Sequence, residues 1–166
     1  RTALSRPWSH RFCRRRRTPE MIGAEILPMI EPWLLAARIH DRHNIPNQWV
    51  LVVTEPGKES TTCDAFLVEF ESLYDGVVRR VEAHSLEDWK RAVSSDRKDV
   101  LVITHESSWN PSDWRKLDTQ YLMRDSLTVV FADQEAAKGM STFASHLWSQ
   151  IGGMVWALQM DEDEND

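Results

Sequence analysis

Trp49-Val-Leu-Val-Val53 is an unbroken apolar run with three β-branched residues, preceded by a turn at residues 44–47 that contains Pro46 and followed by Thr54-Glu-Pro-Gly-Lys58. A strand with one wet face alternates apolar and polar residues, whereas a continuous run of this length suits a strand covered on both faces, as in a parallel sheet. Val100-Leu-Val-Ile-Thr104 and Leu127-Thr-Val-Val-Phe131 repeat the pattern, and Val77-Val-Arg-Arg-Val81 is a more polar member of the set.

The segments between these runs have helical spacing. Residues 62–74 and 85–93 read as helices, the second opened by Ser85 with Asp88 at the capping-box position. Asn110-Pro-Ser-Asp113 opens a helix over 110–123, and a last helix spans 141–158, tolerating Gly152 and Gly153. Upstream, Ile22, Ile26, Met29, Ile30, Trp33, Leu34, Ala37 and Ile39 predict one or two short helices over 19–43, interrupted by Pro28 and Pro32. Strands alternating with helices imply right-handed crossovers and a three-layer α/β domain, its mostly parallel sheet carrying helices on both faces. In such sheets ligands bind beyond the carboxyl ends of the strands, here residues 54–61, 83–85, 105–109 and 132–138.

The expected organisation is a basic arm at 1–18, a single domain at 19–160 and an acidic tail at 161–166. Of 20 basic residues, seven (Arg1, Arg6, Arg11, Arg14, Arg15, Arg16 and Arg17) precede the first acid, Glu20, so the remaining 13 face 26 acids. That excess disfavours nucleic-acid binding by the body, because phosphate affinity comes from Lys and Arg. The Arg-rich start reads as a flexible extension, a nuclear or mitochondrial targeting segment, or a nucleic-acid arm. Cys13 and Cys63 form neither a disulfide framework nor a zinc set, which suits an intracellular setting. No apolar stretch approaches the length that spans a bilayer, so no membrane partner is expected.

The motifs are incomplete. Gly57-Lys58 follows a buried strand, but a full phosphate loop needs Gly where Val52 stands and Ser or Thr where Glu59 stands. The plain alternative is a Pro-Gly turn. Asp133 and Glu135 end a strand where a carboxylate holds Mg²⁺ in nucleotide enzymes, though a solvated loop fits as well. His40 with His43, and His105 near Ser107 and Asn110, lack a third ligand or a nucleophile-base-orienter set. No complete catalytic site and no metal site are evident.

The stretch Leu127-Thr-Val-Val-Phe-Ala-Asp-Gln-Glu-Ala-Ala-Lys-Gly-Met-Ser-Thr-Phe-Ala-Ser145 resembles the D-E-A-H block of Swi/Snf-type ATPases of helicase superfamily two. Val50 to Pro56, Phe70 to His84 and Asp99 to Glu106 are similar to neighbouring segments of that family, in the same order, so that the likeness covers residues 22–150. The resemblance implies an N-terminal RecA-like lobe with P-loop NTPase-type topology. It also places the family's phosphate loop at residues 27–31, Leu-Pro-Met-Ile-Glu, which has no Gly and no Lys. In the acidic block Asp133 is kept, while Gln134 replaces the Glu and Ala136 or Ala137 the His. These 166 residues leave no room for the second RecA-like lobe that the resemblance would call for.

The implied function is a catalytically inactive, helicase-like module without a cofactor, partnered by a protein and associated with chromatin. By resemblance Thr54, Lys58, Thr104 and His105 are contact positions, and Arg14, Arg15, Arg16 and Arg17 supply any nucleic-acid contact. Two alternatives stand beside it. One is a nucleotide- or phosphate-binding enzyme using ATP and Mg²⁺ through Gly57, Lys58, Ser60 and Asp133. The other is a structural subunit of a large assembly.

Overall fold

The computed structural model describes residues 21–22, 25–94 and 98–160. The basic arm, with Arg14 to Arg17, and the acidic tail lie outside the described residues. Fourteen elements follow one another among those described. A short antiparallel pair, β1 (Met21–Ile22) and β2 (Glu25–Ile26), precedes β3 (Met29–Ile30) and α1 (Pro32–His40). Then come β4 (Trp49–Thr54), α2 (Glu59–Leu73), β5 (Val78–Ala83), α3 (Leu86–Val93), β6 (Val100–His105), α4 (Pro111–Asp118) and β7 (Thr128–Asp133). The chain ends in α5 (Gln134–Phe143), α6 (Ser145–Ile151) and β8 (Val155–Leu158).

Six strands form one sheet in the order β3-β8-β4-β7-β6-β5, and every neighbouring pair is parallel. Side chains of β4 alternate between two cores. Val50 and Val52 meet Leu35 and Ile39 of α1 and Cys63, Phe66 and Phe70 of α2. Trp49, Leu51 and Val53 meet Trp89 of α3, Trp114 of α4, Met140 of α5 and Ile151 of α6. The three-layer α/β expectation is therefore met. Starting from β4, the first strand of the main set lies between the last two, β7 and β8, which is the RecA/P-loop type of arrangement.

Local chemistry explains most boundaries. Ser85 and Asp88 close a reciprocal capping box on α3, and Asn110 and Asp113 do the same on α4, with Pro111 opening the helix where its missing N–H is harmless. Each box satisfies amides that the first helical turn leaves without a partner. Asn47, at φ 54, accepts from Trp49 Nε1 at 2.9 Å and from the Arg124 amide at 3.2 Å, tying the turn before β4 to the turn before β7.

Four expectations are corrected. Among the described residues of 19–43 there is one helix, α1, and the apolar positions before it belong to β1, β2 and β3, strands of two residues each that are too short to show an alternation. The helix expected over 62–74 starts earlier, at Glu59, and the one expected over 110–123 ends at Asp118. The helix expected over 141–158 is three elements: α5 ends at Phe143, α6 ends at Ile151, and Gly152 at φ 61 turns the chain into β8. A left-handed residue there costs glycine little, because it has no Cβ to collide with the following carbonyl.

At the base of the strands, Asp99 and Arg124 form a buried ion pair at 2.6 Å, their side chains 4% and 1% exposed. Arg124 also donates to the carbonyls of Asp99 at 2.9 Å and Leu127 at 3.0 Å. Arg79 reaches the other Asp99 oxygen at 3.0 Å. The network pins the starts of β5, β6 and β7 together.

Candidate site at the strand mouths

The connection that leaves β4 runs through α2 on one face, and the connection that leaves β7 runs through α5 on the other. A ligand crevice in an open parallel sheet lies beyond such a pair of carboxyl ends. Thr54 and Asp133 are paired across β4 and β7 at that point. Residues 27–31, where the resemblance places the family's phosphate loop, contain β3 at the margin of the sheet, beyond β8. The loop after β4 therefore lies at the crevice between β4 and β7, whereas residues 27–31 lie away from it.

That loop is a tight turn. The Lys58 amide donates to the Glu55 carbonyl at 3.0 Å, and Gly57 between them sits at φ 79, where no other residue is comfortable. Lys58 is the N-cap of α2 with no side-chain cap, and it is exposed. The Thr62 amide closes onto the Lys58 carbonyl at 2.9 Å, so the amides of residues 59–61 are left for other acceptors, as at any helix start.

Glu59 is the decisive residue. It is only 2% exposed, on the first turn of α2. Burial pushes its carboxyl above the usual range; the amides of Glu59 itself and of Gly57 pull it down, and Asp133 and Glu106 push it up again. Its Oε1 has no hydrogen-bond partner. Ser60 beside it accepts Arg80 Nη2 at 2.8 Å, and Arg80 also pairs with Asp64.

The other candidate residues separate. Asp133 is the N-cap of α5, its Oδ1 accepting the Ala136 amide at 2.8 Å, which is a structural task. Thr54 is buried and donates to the Glu55 carbonyl at 3.0 Å. Thr104 is fully buried, and its hydroxyl has no partner. His105 is buried on the opposite face among Trp89, Trp109 and Trp114, so neither it nor Thr104 presents a surface to a partner.

Trp89 Nε1 donates to His105 Nδ1 at 3.1 Å, which makes Nδ1 an acceptor and puts the ring proton on Nε2. Burial holds this imidazole down at about 4, against the pull of Asp133 and the Ser107 backbone. It is a neutral core histidine at physiological pH. Cys63 is likewise inert, burial pushing its thiol up to about 12.

No group of three or more His, Cys, Asp or Glu among the described residues has the geometry to hold a metal ion. No described helix is long and apolar enough to cross a membrane. A shallow depression lined by Leu117, Asp118, Tyr121, His146 and Gln150 lies at the C-terminal end of α4, away from the strand mouths. The sequence pattern gave no sign that Glu59 is buried, because an acid after Gly-Lys at a helix start reads as solvated.

No protein-family model matches the chain. No curated protein matches it either. Among solved structures, a proline-to-glycine mutant of RuvB from Thermotoga maritima is similar at a TM-score of 0.43 and 17% identity, over 78% of this chain and 44% of that one. This chain thus spans less than half of the RuvB chain, and a likeness at that level carries no argument about function.

Proposed function

We propose that the chain is a non-catalytic RecA-like α/β module that serves as an interaction subunit with a protein partner. The observation that carries this reading is Glu59: a buried carboxyl stands where the first turn after the loop would need a hydroxyl for Mg²⁺, and the charges of Asp133 and Glu106 act on it in the same unfavourable sense. A carboxyl in that place repels a triphosphate rather than neutralising it. The exposed apolar side chains Val68 (71%), Val77 (69%) and Met123 (67%) lie on separate elements, so the protein-partner reading rests on the Swi/Snf resemblance. A chromatin-associated setting, with Arg14 to Arg17 supplying any nucleic-acid contact, is the finer reading that the Swi/Snf resemblance suggests.

A nucleotide-binding reading through Gly57, Lys58, Ser60 and Asp133 is favoured by one observation, the position of the loop at the switch between β4 and β7. Titration of the full chain with ATP, with and without Mg²⁺, separates the two. The expected result is no saturable binding; micromolar ATP binding that Lys58→Ala abolishes would overturn the non-catalytic reading.

A further inference from the structure

The two outer strands of the sheet are unlike. β3 is two residues long, too short to template a neighbour, whereas β5 runs through Val78-Arg-Arg-Val-Glu-Ala83 and, among the described residues, is paired on one side only, to β6. The Val100 amide donates to the Val77 carbonyl at 3.0 Å, and Val78 stands opposite Val100, so the backbone groups of Val77, Arg79 and Val81 point towards β6. Those of Val78, Arg80 and Glu82 point outward. An open row of N–H and C=O groups is a template for another strand unless proline, a bulge or opposed like charges block it. β5 contains no proline, and its register with β6 is unbroken from Val78 to Ala83. Arg80 and Glu82 are exposed and share one face of the strand, the face on which Arg80 meets Ser60 and Asp64 of α2.

The charges of this edge complement themselves in one register. In an antiparallel pair, residues whose backbone points outward must meet residues of the same kind. Setting Arg80 against Arg80, or Glu82 against Glu82, brings like charges directly opposite, which is destabilising. The register between these two sets Arg80 of each copy against Glu82 of the other and puts Val81 against Val81 on the two-fold axis. Each Arg80–Glu82 pair then exchanges both backbone hydrogen bonds as well as the side-chain attraction. Arg80 is held beforehand by Asp64 and by the Ser60 hydroxyl at 2.8 Å, which lowers the entropy lost when it pairs. The ladder ends at His84, whose amide already donates to Asp88 Oδ2 at 2.9 Å.

We propose that β5 pairs antiparallel with β5 of a second copy of this chain, Arg80 opposite Glu82 in both directions, joining two sheets across an isologous two-fold interface. The inference goes beyond the non-catalytic reading, since it rests on the edge of the sheet and not on the loop after β4. An interface of one strand pair is small, so the association is weak and follows concentration.

The test is sedimentation velocity of the full chain from about 10 µM to 1 mM, the range in which so small an interface is populated, with Glu82→Arg and Arg80→Glu made separately. The expected result is a parent chain that passes from monomer towards dimer over that range, with association at least about tenfold weaker in E82R and in R80E, each of which sets like charges opposite. An equal mixture of the two variants should associate within about threefold of the parent, because each supplies the charge that the other lacks. A parent that stays monomeric at about 1 mM overturns the proposal. So does a dimer that both variants leave unchanged, which would lie on another face, and so does a mixture that stays monomeric. If R80E does not fold by circular dichroism, having given up Asp64 and Ser60, Glu82→Pro takes its place. It removes an outward N–H, leaves the bonds to β6 alone, and must abolish association in the folded protein. None of these outcomes touches the non-catalytic reading, which falls only to ATP binding by the parent chain.

Discussion

Replacing Arg124 with methionine should lower the melting temperature by about 6–12 °C. The guanidinium is 1% exposed and serves a carboxylate and two carbonyls at once: Asp99 Oδ1 at 2.6 Å, the Asp99 carbonyl at 2.9 Å and the Leu127 carbonyl at 3.0 Å. Methionine fills much of the volume but donates nothing, so three buried acceptors lose a donor together. Removing one partner of a buried ion pair costs about 3–5 kcal/mol. Asp99 keeps Arg79 at 3.0 Å, which places the cost at the lower end, about 3 kcal/mol. For a domain of this size each kcal/mol moves the midpoint by about 2–4 °C. Thermal melts followed by circular dichroism give the number. The double variant Arg124→Met with Asp99→Asn should cost less than the sum of the two single changes, because the Arg124–Asp99 pair is lost only once. The loss should also persist in about 1 M salt, which screens surface charges but reaches buried pairs poorly. An Arg124→Met protein melting within about 2 °C of the parent would show that the network is ornamental and that the strand bases are held by apolar packing alone.

Protonation of His105 gives a pH dependence of definite sign. Its folded-state value, about 4, lies below the unfolded value of about 6.5. Between these values the unfolded chain holds more protons, so stability is full above about pH 6.5 and is lost as pH falls towards 4, by about 3 kcal/mol in all. Urea titrations at pH 7 and pH 4.5 should show this loss, and His105→Gln should flatten it. Glu59 acts with the opposite sign. Its raised carboxyl contributes stability at low pH that is lost as pH rises through the folded value, so Glu59→Gln should stabilise the neutral-pH protein relative to the acid one. Gly139→Ala puts a Cβ 2.1 Å from Trp114 Nε1 in a core that cannot give way, and should cost about 1–3 kcal/mol with a shift in tryptophan fluorescence. Ser85→Ala removes the cap of α3 and should cost about 1 kcal/mol in chemical denaturation.

What the sequence made legible was the part of the fold written in long runs. The apolar tracts of β4, β6 and β7 are buried along almost their whole length, and a run with no polar interruption has few other homes. The capping pairs Ser85 with Asp88 and Asn110 with Asp113 were legible for a different reason, since their chemistry is local. β8 was not. Val155-Trp-Ala-Leu158 is four residues long, follows a helical pattern and becomes a strand only because β3 and β4 flank it. The order of the strands was likewise hidden, and with it the fact that residues 55–58, rather than 27–31, hold the switch-point position. Burial of Glu59 depends on how α2 lies over β6 and β7, which no local pattern encodes.

The central place of β4 also has a consequence in time. Among the long strands of the described sheet it leaves the ribosome first, yet its two neighbours, β7 and β8, begin at residues 128 and 155. Until then its apolar run has neither edge paired, and the contacts that close the sheet span most of the chain, a topology associated with slow folding and exposure to aggregation. A nascent chain halted before Val155 would hold β4 at an open edge and leave β3 with nothing to pair against. The last four-residue strand therefore decides when the first long one becomes safe.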